Sequence, residues 1–238
     1  MRAFEDETFE LGEGPDLCTG AVHTDCEFRR CYFEGLSLSV THDPRSRSTV
    51  RNIRLIDCSQ RGCAVYSPIV EDVMVDGLNT NGQLLQVSGA VFKRVVLRGK
   101  IDRLMLSNEV FPSILIDEGE RNRRIRAFKE ANADYYRHVD WALDISQGKF
   151  KELDIRGVPA HLIVRDPQTQ IVVTRQNALE GRWRELQFNE GLFQISIQAL
   201  LETDDPSTVL VAPKRHRKFQ HYVEDLRMLQ DAGVAEPD

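Results

Sequence analysis

Three observations predict a β-dominated fold built as one parallel solenoid. Residues 92–99 carry a pattern that recurs at 28–35, 50–57, 70–77, 150–157 and 183–190: one large apolar residue, two charged or polar residues, then apolar, variable, apolar, and a turn residue. The interval is 20 residues from Val50 to Val70, and 22 from Phe28 to Val50 and from Val70 to Phe92. A fixed period in this range marks stacked coils. Inside the unit there is no helical period, only short alternating stretches and corners, so neighbouring coils must bury one another's inward side chains.

Each copy justifies its strand separately. The fourth and sixth places hold Cys31 and Phe33, Ile53 and Leu55, Val73 and Val75, Val95 and Leu97, Leu153 and Ile155, and Leu186 and Phe188. Two apolar residues separated by one variable residue lie on the same side of a strand, and here that side is inward. The copies close on Gly35, Asp57, Gly77, Gly99 and Gly157, with Gly191 one place late. Gly and Asp accept the left-handed backbone of a tight corner.

Near the N-terminus the pattern tightens into Cys26-Glu27-Phe28-Arg29-Arg30, Cys31-Tyr32-Phe33-Glu34-Gly35 and Leu36-Ser37-Leu38-Ser39-Val40. These resemble three consecutive pentapeptide repeats. The resemblance covers about fifteen residues and implies a right-handed winding with the small residue, and the Leu or Phe two places later, pointing inward. The later copies carry Ile, Val or Leu where the small residue would stand and are similar to a general right-handed β-helix. The expected class is therefore all-β dominated: a single right-handed parallel β-solenoid with coils of about 20–22 residues, one inserted helix and a C-terminal helix.

The boundaries follow in order. Residues 1–16, with Phe4, Phe9 and Leu11 before Gly12-Glu13-Gly14-Pro15, are expected to cap the first coil. Coils occupy 17–117. Ile125, Phe128, Tyr135, Val139 and Ala142 share one helical face, which predicts an inserted helix over 118–146. Coils resume over 147–211. Pro213 suits a first helical turn, and Phe219, Val223, Leu226 and Leu229 form a stripe, so a helix is expected over 212–232, before a tail at 233–238. All belong to one domain.

A formal net charge of −6 with 29% charged residues gives no general attraction to nucleic acid or anionic membrane. The start of the chain lacks the apolar core of a signal peptide, and no run approaches a membrane span, so a cytoplasmic protein without membrane contact is expected. Five cysteines without a CxxC pair fit a reducing compartment. Cys18, Cys26, Cys31, Cys58 and Cys63 with His23 lack the spacing of a structural zinc site, so neither metal nor cofactor is expected.

Candidate functional residues fall into three groups. Glu71, Asp72 and Asp76 are the only local acidic concentration on the outward ladders, and a polysaccharide-cleaving β-helix would need such carboxylates. Met74 and Val96 would lie side by side facing outward, as a partner or dimer surface unless the inserted helix covers them. Arg121, Arg123, Arg124 and Arg126, and then Lys214, Arg215, His216, Arg217 and Lys218, crowd two expected helix starts, where cations oppose the macrodipole. Acidic neighbours such as Glu118, Glu120, Asp204 and Asp205, or an anionic partner, would offset that cost. The function expected is a non-enzymatic interaction scaffold presenting a rigid face to a protein partner, with a homodimer as a variant. The alternatives are a polysaccharide-binding or polysaccharide-cleaving β-helix and, least favoured, weak nucleic-acid binding through the basic helix starts.

Overall fold

The computed structural model describes residues 1–10, 20–110 and 117–236. Strand outweighs helix, 41% to 26%, so the chain is β-dominated. It begins with β1 (Arg2–Glu5), β2 (Thr8–Glu10), β3 (Val22–Arg29), β4 (Tyr32–Glu34) and β5 (Ser37–Leu38). A 3-10 turn at Pro44–Ser46 leads into β6 (Thr49–Arg61), β7 (Ala64–Tyr66), β8 (Ile69–Asn79), β9 (Leu84–Ser88), β10 (Val91–Lys93) and β11 (Val95–Ser107). Helix α1 (Glu118–Tyr136) follows, then β12 (Leu143–Asp144), β13 (Gly148–Ile155) and β14 (Ile163–Val164). The C-terminal part holds β15 (Gln170–Thr174), α2 (Arg175–Glu180), α3 (Leu192–Glu202), β16 (Ser207–Val211) and α4 (Phe219–Asp231).

The first fourteen strands form one sheet whose pairings are all parallel. Its path runs β1-β3-β6-β8-β11 and returns through β9, β7 and β5, because β11 pairs with β8 along its first half and with β9 along its second. The sheet is thereby curled into an open half-barrel.

Register explains the curl. Asp25, Asn52, Asp72 and Arg94 stack in one column, and all four have φ between 51° and 58°. Asp6, Arg30, Asp57, Gly77 and Gly99 stack in a second column, again all at positive φ. Each column is a corner. Between them the inward pairs Ile53 and Leu55, Val73 and Val75, and Val95 and Leu97 lie over one another, as the alternation predicts. Glycine is required where coils approach closely: a Cβ on Gly99 would stand 2.5 Å from Asp76 Oδ1.

Three copies differ from expectation. The copy at 28–35 is one side out of phase: Cys26 and Phe28, not Cys31 and Phe33, stack on Ile53 and Leu55. Cys31 and Phe33 are still directed along the next side, over Cys58 and Gln60, and Cys31 is fully buried. The copy at 150–157 is also displaced, since Phe150 pairs with Ile101 and Leu153 with Leu104, while Leu143 is the residue that meets Val95. The copy at 183–190 is not a strand; a 3-10 turn occupies Trp183–Glu185, and Leu192–Glu202 is helical. Residues 1–10 form two strands of the sheet, paired in parallel with β3 and β4, and the remainder of the expected cap, 11–16, lies outside the described residues.

Helix α1 is shorter than the pattern suggests. It ends at Tyr136, and the chain re-enters the sheet at Leu143. Phe128 and Tyr136 are its buried anchors, and the Phe92 amide donates to the Tyr136 hydroxyl at 3.3 Å.

A second core replaces the last expected coils. Strands β15 and β16 pair antiparallel, and their alternation splits the ribbon between two interiors. Val172, Val209 and Val211 join the core of the curled sheet, whereas Ile171, Val173 and Leu210 join Trp183, Phe193, Ile197, Leu226 and Leu229. One face of the ribbon therefore packs into the core of the curled sheet, and α3 and α4 share a core with the other.

Val95 tests the inward assignment, being 3% exposed beneath Leu143. Val95→Asp buries an unpaired carboxylate and is expected to lose about 3–5 kcal/mol or to fail to fold. A urea melt matching the parent would sink the assignment.

Candidate functional site

Most of the charged candidates are engaged inside the molecule. Glu71 Oε2 accepts from Arg51 Nε at 2.8 Å, and Glu71 Oε1 accepts from the Tyr135 hydroxyl at 3.0 Å. Asp72 receives Arg94 through Nε and Nη2 at 2.6 and 3.0 Å, and Asp76 receives Arg98 at 2.8 Å. The partners are the residues 20 or 22 places away, so the ion pairs are the register made visible. The Arg94 hydrogen bond holds the Asp72 carboxyl below its ordinary value. Carboxylates pinned this way are acceptors already in use, not a free acid–base pair.

The basic candidates behave similarly. Helix α4 begins at Phe219, so Lys214 to Lys218 precede it as turns instead of opening it. Lys214 reaches Asp166 at 2.8 Å, Arg215 reaches Asp102 at 2.8 Å, and Lys218 reaches Glu190 at 2.8 Å. The Arg215 amide also donates to the Phe150 carbonyl. Arg217 is exposed. In α1, Asp117 caps the Glu120 amide, and Glu120 holds both Arg123 and Arg124 at 2.7 Å, which offsets the macrodipole cost. Arg121 differs: it lies half-buried beside them, and its buried Nε has no hydrogen-bond partner among the described residues.

Met74 and Val96 do sit in register, between Arg54 on one side and Asp144 on the other, and both are half-buried. Helix α1 packs on the Pro44–Ser46 turn and on β10, one corner earlier, so it is not placed over this pair. Cys18 lies outside the described residues. The Cys31 and Cys58 thiols donate to the carbonyls of Arg29 and Phe28, burial raises the Cys58 thiol, and among the described residues no three His, Cys, Asp or Glu side chains converge as a metal requires.

The geometry instead brings together residues that periodicity did not single out. A cleft of about 480 Å³ opens between α1 and the chain following β13, at the C-terminal ends of β11 and β13. Ala133, Tyr136, Val158, Pro159 and Pro206 give it apolar walls. At its base Asn108 donates from Nδ2 to both oxygens of Asp205 at 3.1 Å, and the Thr203 hydroxyl donates to Asp205 at 3.1 Å. Gly157 makes this possible: at φ 74°, a Cβ there would stand 2.2 Å from Asn108 Cβ. Lys129 and Asp204 pair across the rim at 3.1 Å, with Arg137 and His161 beside them.

Asp205 is the unusual group. Burial pushes its carboxyl above the ordinary range against the opposing pull of Thr203, Lys129 and Asn108. An apolar cleft with one desolvated carboxyl at its base and mixed charge at its rim is a binding geometry. The sequence signals for it were local and weak. Asp204-Asp205-Pro206 reads as a turn, and nothing in the repeat connects Asn108 with a residue nearly a hundred positions later.

Because folding raises the Asp205 pKa, the folded chain holds that proton more tightly than the unfolded chain, and its ionisation costs stability as pH rises from 3.8 through the folded value. Asp205→Asn removes this cost. Urea melts at about pH 3 and about pH 7 are expected to show the variant gaining on the parent at the higher pH, and a gap independent of pH would refute the buried-carboxyl reading. No family model, curated protein or solved structure matches the chain, so this site rests on its own geometry.

Proposed function

We propose that the protein is a non-enzymatic interaction scaffold, a right-handed β-solenoid that receives a segment of a protein partner in the cleft between α1 and the chain following β13. The observation that carries this reading is the contrast between that cleft and the rest of the surface. Its walls are apolar and its polar groups lie at the base and rim, whereas the outward ladders are closed by ion pairs between coils. A peptide segment could place apolar side chains against Tyr136 and Val158 and a donor near Asp205. The two corner columns support the solenoid reading, and the inward Cys31 and Phe33 support local pentapeptide character in the first coils.

The other readings gain less. A polysaccharide-cleaving site would need carboxylates free to act, and Glu71, Asp72 and Asp76 each have a cationic partner. Nucleic-acid binding would need free cations at the two basic runs, and five of those side chains are already paired. Met74 and Val96 stand as the second candidate face, for a partner or a second copy.

Ala133 is exposed on the cleft wall and tolerates a larger side chain. A photo-crosslinking residue at Ala133 is expected to capture one discrete protein in cells, whereas the same probe at Met74 captures none. Capture only from Met74 would move the site, and capture from neither would remove the scaffold reading.

A further inference from the structure

Arg47 is 7% exposed, and among the described residues no carboxylate lies within ion-pairing distance of it. Its Nη2 donates to Asn132 Oδ1 on α1 and, at 3.4 Å, to the Gly89 carbonyl, and its guanidinium lies 4.9 Å from the centre of the Phe128 ring. Its Nε is buried without a hydrogen-bond acceptor. Burial pulls its pKa down to about 10, so it is still a cation at neutral pH. A buried charge without a counter-charge is strongly disfavoured, and its retention calls for a reason beyond packing.

Arg47 lines a cavity of about 280 Å³ between the Pro44–Ser46 turn, the sheet and α1, together with Lys93 and His138. Two carboxylates also line it, and both are already satisfied. Glu71 is held by Arg51 and by the Tyr135 hydroxyl, and Asp134 is held by Arg137. With those pairs set, Arg47 and Lys93 are the cavity's cations that make no ion pair among the described residues, Lys93 standing beside Glu71 in register, with the imidazole of His138 as a further hydrogen-bonding group.

From this juxtaposition we infer that the cavity is a binding site for a small dianionic oxyanion of the phosphate type, with Arg47 as the buried counter-charge and Lys93 and His138 completing the shell. A planar guanidinium and an ammonium group are the pair that recognises such an oxyanion, through charge-assisted hydrogen bonds. The volume admits the ion with some of its water. The site is separate from the cleft at Asp205, but Asn132 lines that cleft and accepts from Arg47, so occupancy would also fix the face of α1 that forms one cleft wall.

Titration calorimetry of the full chain with inorganic phosphate, at constant ionic strength set by chloride, tests the inference. Saturable one-site binding is expected in the parent, weakened about tenfold by Lys93→Gln through loss of one charge-assisted contact, and abolished by Arg47→Met. Circular dichroism checks that the variants fold; if Arg47→Met does not, Lys93→Gln decides. No heat beyond the chloride control, or equal affinity in the parent and in the folded variants, overturns the site. Competition by glycerol phosphate distinguishes an esterified phosphoryl group from the free ion as its occupant.

Discussion

Parallel strands that bend can stay hydrogen-bonded to one another only if each bends at the same place. Two columns of left-handed residues meet that constraint, and most of the structure depends on them. In the column of Asp25, Asn52, Asp72 and Arg94 no residue is glycine; Asp and Asn tolerate the left-handed backbone, and Arg94 holds a conformation that its type ordinarily avoids. The side chains in that column help to hold the conformation: Asn52 donates to Asp25, and Arg94 embraces Asp72. Corner chemistry, ladder charge and inward packing are thus one device, repeated with each coil.

This device also accounts for the mixed charge of the outward ladders. Charges one coil apart meet side by side, so a cation placed beside an acid in the next coil is neutralised by the register itself. Exposed pairs of this type add little stability, but they leave a mixed-charge surface with little net preference. On the proposed reading, recognition falls where α1 and the C-terminal ribbon meet the sheet. Both cavities described above lie there, along α1 and where the coils give way to the C-terminal ribbon.

Much of the fold was legible in the sequence because alternation and period were both explicit. The three copies beginning at Val50, Val70 and Phe92 have the expected inward pairs and the expected spacing. The slip in the copy at 28–35 has a physical cause. Cys26 with Phe28 and Cys31 with Phe33 present the same inward pattern five residues apart, so a shift by one side of the coil is nearly silent. The left-handed positions that would have fixed the phase are Asp6 and Arg30, and arginine does not announce a corner. At Leu186 and Phe188 three alternating residues were too few to separate a strand from a turn, although Phe193, Ile197 and Leu200 carried a helical spacing. The Asp205 cleft was hidden for another reason: it is assembled by contacts between segments distant in the chain, and it rests on a glycine that close approach to Asn108 requires as well as the left-handed bend.

The two-faced ribbon of β15 and β16 bears on the molecule's fate as well as its shape. Beyond β13, the outer edge of the sheet is met by the Thr208 hydroxyl, which donates to the Ile155 carbonyl at 3.1 Å, and by the Arg215 amide, which donates to the Phe150 carbonyl at 2.9 Å. Unblocked strand edges recruit other strands. A chain whose ribbon detached would present a bare rung of a ladder whose corners already fit an identical rung, and association would proceed in one dimension, as a filament. The C-terminal unit is in that sense a terminator: it occupies the edge on which a further strand would pair.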